Sequence, residues 1–209
     1  MNRRFVITAG PTREFIDAAR FISNPSTGRM GFAVAAAAAR RGFETVLVAG
    51  PCSLPTPPGV ERIDIVSARD MQKAVSDVLR PEDVFIAVAA VADWRPESVF
   101  PGKLKKEEMS PVLRLVRNPD ILLEAKAAVK IGFAAETGPG IIANAKEKCR
   151  RKNLAMIVAN DILETGAGFG GTTNHVSFIF PDGRTKALEM AGKDEIADSI
   201  LDECEGLCV

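Results

Sequence analysis

Reactive residue types in this chain gather directly behind short apolar runs. The first segment leads from Gly10-Pro11-Thr12-Arg13 to Ser23-Asn24-Pro25-Ser26-Thr27-Gly28-Arg29-Met30-Gly31, where an alanine-rich stretch begins. Small and hydroxyl residues at a loop-to-helix junction leave backbone N–H groups open, and the positive helix end suits an oxyanion or a phosphate. The pattern is neither a P-loop nor G-x-G-x-x-G, and Ser26 or Thr27 can equally be an N-cap, worth about 1 kcal/mol. A second segment, Ala87-Val88-Ala89-Ala90-Val91-Ala92-Asp93-Trp94-Arg95-Pro96, sets small residues ahead of an acid, so a ligand can approach the backbone. Lys103-Leu104-Lys105-Lys106 follows through Pro101-Gly102. As a run of charge it suits a solvated face; as compact cations behind a strand end, its lysines suit phosphate. In Gly132-Phe133-Ala134-Ala135-Glu136-Thr137 the Phe133 ring can stack on a base or simply fill the core. Lys148 and Lys152 stand four apart and so share a helix face. Like charges at that spacing cost only about 0.2–0.5 kcal/mol, compatible with an anionic ligand without requiring one.

Several familiar chemistries have no residues to run on. G-x-S-x-G, H-E-x-x-H and paired-cysteine metal motifs are absent. Cys52, Cys149, Cys204 and Cys208 make no C-x-x-C, and a single histidine, His175, cannot complete a zinc set with them. No side chain stands out as a covalent nucleophile. What remains is chemistry by positioning and by neutralising phosphate, with any metal borne on the phosphates themselves.

The elements that must position these segments alternate. Strands are expected at Phe5–Ala9, Thr45–Ala49, Arg62–Ile65, Val84–Ala92, Val129–Ala134 and Ala155–Ala159, and helices at Met30–Arg41, Ala68–Leu79, Pro119–Ala127, Ile141–Arg151 and Asp194–Glu203. Continuous apolar strands alternating with helices predict an α/β fold: a three-layer, Rossmann-like, mostly parallel sheet flanked by helices. His175–Phe180 and Arg184–Met190, joined by Pro181-Asp182-Gly183, read as a C-terminal β-hairpin appendage over about 174–190 of a single domain, 1–209. In such sheets ligands lie outside the carboxyl ends of the strands, where the segments above fall.

Composition narrows the partners. The 209 residues are 46% hydrophobic and carry 27 basic against 27 acidic side chains, an ordinary globular balance without the basic excess of a nucleic-acid binder. No apolar run reaches a signal-peptide core or a membrane span, so a cytoplasmic protein with reduced thiols is expected.

Taken in order, ITAGPTRE, Arg20-Phe21-Ile22-Ser23-Asn24, STGRMG, SLPTPP, AAVADWRP, KLKK, RNPDIL, GFAAET, RKNLAMIVAND and the terminal hairpin resemble the phosphopantothenate–cysteine ligase family of coenzyme A biosynthesis. The likeness runs from Arg4 to Glu203 and is to the bacterial form, a synthetase domain usually fused behind a flavin-dependent decarboxylase. It implies that the carboxylate of 4′-phosphopantothenate attacks the α-phosphate of CTP, giving an acyl-cytidylate and pyrophosphate. The amine of L-cysteine then attacks the acyl carbon and releases CMP. It also implies Mg2+ carried by the nucleotide phosphates, no flavin in this chain, a homodimer with Ala90 in the pairing segment, and a decarboxylase partner, fused or separate. Position by position, Asn24 and Lys103 match catalytic residues, the lysine on a mobile flap, and Arg20, Asn24, Ser26 and Gly28 match contacts to substrate or intermediate. Nucleotide contacts match at Ala87, Val88, Ala89, Asp93 and Lys103, at Val116, Arg117, Asn118 and Pro119, and at Phe133, Lys148 and Lys152. An ATP-using ligase of the same fold, and an inactive nucleotide-binding assembly partner of a decarboxylase, are the alternatives. Pro25, Trp94 and the short stretch between Lys106 and Arg117 depart from the family pattern.

Overall fold

Five largely apolar runs form parallel strands because both of their faces find cover, and a more polar, half-exposed strand, Val60–Asp64, joins them at the edge. The computed structural model describes residues 3–107, 112–138, 140–161, 163–164 and 170–207. β1 (Arg4–Ala9), β2 (Glu44–Ala49), β3 (Val60–Asp64), β4 (Val84–Ala87), β5 (Val129–Glu136) and β6 (Met156–Asp161) are parallel. β7 (Val176–Ile179) and β8 (Thr185–Ala187) extend them antiparallel. The spatial order is β8-β7-β6-β5-β4-β1-β2-β3. The chain thus runs from the centre to one edge, returns beside β1 as β4, and proceeds to the other edge. That reversal between β1 and β4 is where an open α/β sheet leaves a crevice.

Alternation assigns each side chain to a face. Phe5, Ile7, Leu47, Ile86, Ile131 and Met156 pack beneath α1 (Arg29–Arg40) and α5 (Lys193–Leu207). Val6, Val46, Phe85 and Ile157 face the other way, beneath α2 (Ala68–Val78), α3 (Ile121–Glu124) and α4 (Ile141–Arg151). α2 starts where Ser67 and Asp70 close a capping box. α1 lies very near the sheet, since four of its alanines are buried and Gly31 touches β1. A Cβ on Gly31 would stand 2.5 Å from the Ala9 Cβ and 2.8 Å from the Thr8 carbonyl oxygen. Glycine there sets the start of α1 directly over the end of β1.

Two elements are clearly shorter than the sequence expectation. The strand expected over Val84–Ala92 ends at Ala87, and the helix expected over Pro119–Ala127 is confined to Ile121–Glu124, because the chain must rejoin the sheet at Val129. The C-terminal hairpin forms about Gly183 (φ 93°) and lies in the main sheet as its edge. Sequence reading missed three two-stranded ribbons: Glu14–Phe15 with Phe21–Ile22, Trp94–Pro96 with Leu115–Arg117, and Thr173–Asn174 with Ala191–Gly192.

One buried ion pair ties the sheet's centre together. Arg4 Nη1 lies 2.7 Å from Asp83 Oδ2, and the two side chains are 9% and 0% exposed. The same nitrogen donates to the Val78 carbonyl at 2.8 Å, and the Arg80 amide donates to Asp83 at 2.8 Å. The end of α2 and the start of β4 are thereby fastened to β1. Asp83→Ala leaves the guanidinium with only the exposed Glu44 carboxylate, 2.8 Å from its Nε, and should cost about 3 kcal/mol, read as a lower urea midpoint at unchanged slope. Arg4→Met combined with Asp83→Leu should recover most of that loss. An unchanged midpoint in the single variant would show that the pair carries no stability.

Candidate active site

Past Ala87 the β4 chain has lost its regular ladder, and side chains take over its polar groups. Thr8 Oγ1 accepts the Ala89 amide at 3.2 Å, and Thr12 Oγ1 accepts the Ala92 amide at 3.0 Å. The Ala90 amide donates to the Gly10 carbonyl at 3.0 Å. Asn24 Nδ2 donates to the Ala90 carbonyl at 2.6 Å, while Asn24 Oδ1 accepts the Ser26 amide at 3.1 Å. The result is a methyl-sided wall, Val88–Ala92, bent at Ala89, at the strand switch. A cavity opens on each side of it.

The first cavity, about 420 Å³, lies on the α2–α4 face. Ala87, Ala89, Asp93 and Phe133 form one side of it, and Arg117, Asn118 and Pro119 another, with Lys148 and Lys152 entering from α4. Nine of the nucleotide positions matched in the sequence therefore line one space. Asn118 is well placed to shape it: its amide N–H donates to the Asp93 carbonyl at 2.8 Å and its Nδ2 to the Ala92 carbonyl at 2.8 Å. Lys152 is 10% exposed, with Nζ 2.7 Å from Asp120 Oδ1. Burial works to raise the Asp120 carboxyl, but the Lys152 hydrogen bond, the Leu123 amide and nearby cations hold it below the usual value. Lys148 has no such partner at bonding distance among the described residues. Burial, then the neighbouring Lys152 charge, push its ammonium down, against the pull of Glu136, Asp93 and Asp120.

The second cavity, about 320 Å³, lies on the α1–α5 face. Asn24, Ser26 and Gly28, three of the four matched substrate positions, line it, and so does Val88. Gly28 is the N-cap of α1 in a left-handed conformation, φ 80°, which glycine adopts without strain. It supplies no side-chain cap, and no acid occupies the first turn, so the amides there remain open to an anion. The two cavities share Ala89, Val91, Asp93, Phe133 and Lys148. A ligand in one can therefore reach a ligand in the other across the wall.

Other matched residues sit outside both cavities. Lys103 is exposed, in a segment pinned to the turn after β1: the Leu104 amide donates to Asp17 Oδ2 at 3.1 Å, and the Ala18 amide to the Gly102 carbonyl at 3.4 Å. Arg20 belongs to that same fastening, 2.9 Å from buried Asp17, with Nη2 donating to the Leu104 carbonyl at 3.3 Å. The Ala19 amide leads the groups that hold Asp17 below the usual carboxyl range, burial opposing them. Val116 lies within the Trp94–Pro96 ribbon, opposite Arg95. Ala90, by contrast, lines the second cavity, its amide donating to the Gly10 carbonyl and its own carbonyl accepting from Asn24.

Sequence reading missed Arg29, Asn160, Asn174 and Lys193, which also line the second cavity. Two signals were available. Arg29 and Lys193 are each the first residue of a helix, where the dipole disfavours a cation.

Comparison with known proteins places the chain in a family. The family model described as the DNA/pantothenate metabolism flavoprotein C-terminal domain matches residues 1–207. The chain is 45% identical over 211 residues to the coenzyme A biosynthesis bifunctional protein CoaBC of Bacillus subtilis (strain 168), covering 99% of this chain and 52% of that protein. It is 44% identical over 207 residues to CoaBC of Escherichia coli (strain K12), covering 95% and 50%. The chain thus spans about half the length of the curated relatives it matches. A crystal structure of the C-terminal domain of a CoaBC superposes with TM-score 0.83 at 39% identity, covering 99% of this chain and 96% of that one.

An anion in the first cavity would draw Lys148 back toward its ordinary value. Binding of an anion there, with a nucleoside triphosphate as the probe, should therefore take up protons at alkaline pH, measured as a difference in calorimetric heat between buffers of unlike ionisation enthalpy. Lys148→Met should abolish the uptake. Equal heats in the unaltered protein would count against any phosphate contact at Lys148.

Proposed function

Because the chain belongs to the family of the DNA/pantothenate metabolism flavoprotein C-terminal domain, we propose that it joins 4′-phosphopantothenate to L-cysteine, activating the acid with CTP. The observation that carries this reading is the pair of cavities sharing one wall. A carboxylate is a poor electrophile toward an amine, so it must first become an acyl-nucleotide. That step needs the nucleotide's α-phosphate and the acid's carboxylate in contact, with the rest of each molecule extending away. Two spaces meeting at Ala89–Val91 suit that demand. Holding the reactants in line can supply roughly 7–11 kcal/mol of the barrier reduction, and cations around the phosphates much of the remainder.

Residue roles follow from these positions. Lys148 and Lys152 face the polyphosphate as charge passes to the leaving pyrophosphate. Asn24 stands at the wall with one N–H and one lone pair still available after its bonds to Ala90 and Ser26, enough to hold the acyl oxygen while cysteine attacks. Lys103 can act only if its segment swings over the first cavity, exchanging the Asp17–Leu104 bond for phosphate contact. Mg2+ is proposed to enter on the nucleotide. Among the described residues no three His, Cys, Asp or Glu side chains gather as a metal site, while Asp93 faces both cavities and can orient a water of a phosphate-bound ion. When bound, the ion neutralises the polyphosphate and polarises the α-phosphorus.

The word bifunctional in the relatives' names, together with the half-length match, supports a decarboxylase as partner, fused or separate. Exposed Trp94, Val99, Phe100, Leu113 and Leu115 around the ribbon support a homodimer through that face. Free thiols at Cys52 and Cys149 suit a reducing cytoplasm, and no described helix is long and apolar enough to cross a membrane.

The deciding measurement is pyrophosphate release with 4′-phosphopantothenate, L-cysteine and either CTP or ATP. Release with CTP is expected. Release with ATP alone would replace CTP by ATP, and none with either nucleotide would overturn the ligase reading. Lys103→Gln should lower turnover by about 100-fold or more, the scale of losing a charge that acts on the transition state, with an unaltered melting temperature. Near-normal turnover would reduce that lysine to surface charge.

A further inference from the structure

One polar side chain in the second cavity is nearly closed off from solvent, yet half of its bonding capacity is idle. Asn174 ends the short strand Thr173–Asn174, which pairs with Ala191–Gly192 just ahead of α5. It is 6% exposed, and it lines the second cavity and not the first. Its Oδ1 accepts the His175 backbone amide at 3.0 Å. That bond decides which way round the carboxamide stands, since an N–H donor can meet only the oxygen. Nδ2 takes the other branch, and among the described residues it has no hydrogen-bond partner. It is not one of the sealed, unpartnered atoms of the interior, so it is reached from the cavity. Buried polar groups are ordinarily satisfied, and the two N–H bonds of Nδ2 still need an acceptor. The lining also divides by charge: Arg29 and Lys193 are cations, whereas Asn160, Gly170 and Asn174 are neutral.

We infer that Asn174 is a substrate-recognition residue whose Nδ2 donates to the neutral amide carbonyl in the middle of the acid held in the second cavity. The identity of that acid rests on the ligase reading. 4′-Phosphopantothenate is anionic at both ends and carries one secondary amide between them. When the acid enters the cavity, its amide leaves water, and the carbonyl then needs a donor from the protein. A fixed, uncharged carboxamide suits that acceptor, while cations suit the anionic ends. Because the His175 amide orients Asn174 before the acid arrives, little side-chain freedom is lost on binding. A contact at the middle of an extended molecule also sets its register, and so where its carboxylate falls against Asn24 and the wall. An acid with the same two ends and no carbonyl between them would leave Nδ2 unpaired, which selects against it.

Asn174→Asp isolates the donor, because an aspartate keeps the bond to the His175 amide and has no N–H to offer. Asn174→Ala removes the donor without adding charge. Calorimetric Kd for 4′-phosphopantothenate, measured without nucleotide or cysteine, should rise about tenfold or more in both variants, the scale of losing a bond from a buried donor. KM for the acid should rise in step, while KM for CTP and the melting temperature of Asn174→Asp stay unaltered. An analogue of the acid with an ether linkage in place of the amide should bind the unaltered protein about tenfold more weakly. Asn174→Ala should add little to that loss, since both changes remove the same contact. Fully additive losses would move the donor to another acceptor on the acid and overturn the assignment. A raised KM for L-cysteine with unaltered acid binding would transfer the contact to the amino acid and overturn it equally. Unaltered constants throughout would reduce Asn174 to a fastener of its own ribbon. An unaltered protein that binds the acid yet makes no product would sink the ligase reading, while the binding cycle would still decide the carbonyl contact.

Discussion

The arrangement depends on one substitution of hydrogen bonds. At the strand switch the backbone beyond Ala87 has to be exposed to ligand on two sides, so it cannot be covered by regular neighbours. A buried backbone group left unpaired costs about as much as a lost hydrogen bond, and four short side-chain or loop bonds from Thr8, Thr12, Asn24 and Gly10 meet that demand. They make a strand-like wall without a sheet around it. Everything chemical in the molecule is measured from that wall: one space on the α4 side, the other on the α1 side.

Charge is distributed around these spaces with little compensation, and that is a design with consequences for affinity. Lys152 is neutralised by Asp120 and fixed in place, a positioned cation. Lys148, Arg29 and Lys193 lack such partners among the described residues, so their charges stand uncompensated. In a half-buried crevice such charges are screened less than on an open surface. The same economy explains why Asn24 is tied down: a short amide whose geometry is set before substrate arrives loses little entropy on binding.

Much of the fold was legible because burial on two faces writes continuous apolar runs, as in Phe5–Ala9 and Thr45–Ala49. The boundaries erred where tertiary contacts overrode local pattern. Val88–Ala92 reads as strand by composition, yet its ladder partners end and side chains take over. The motif matches Ala87, Asn118, Lys148 and Lys152 converge on one cavity, although they are dispersed over a strand end, a loop and a helix, since strand ends bring distant segments together. Lys103 and Arg20 could not be placed from their types, for a cation fastened to the turn around Asp17 and a cation aimed at phosphate have the same spelling. Arg29 and Lys193 were passed over because helix-start cations are informative only once the helix starts are known.

The packing of α5 against α1 has a consequence for the order in which function can arise during synthesis. Arg41 at the end of α1 bonds to Asp198, Asp202 and Glu205, and the alanine face of α1 is closed by Ile196, Ala197 and Ile200. The lining of the first cavity is complete with Lys152, whereas the second needs Asn160, Asn174 and Lys193. On a ribosome, with chains folding from the N-terminus as they emerge, the pocket on the α4 side can close while α1 still awaits its cover. The pocket on the α1 side, the one proposed for the acid, is assembled last, so a chain cut short before α5 would lack part of that pocket's lining.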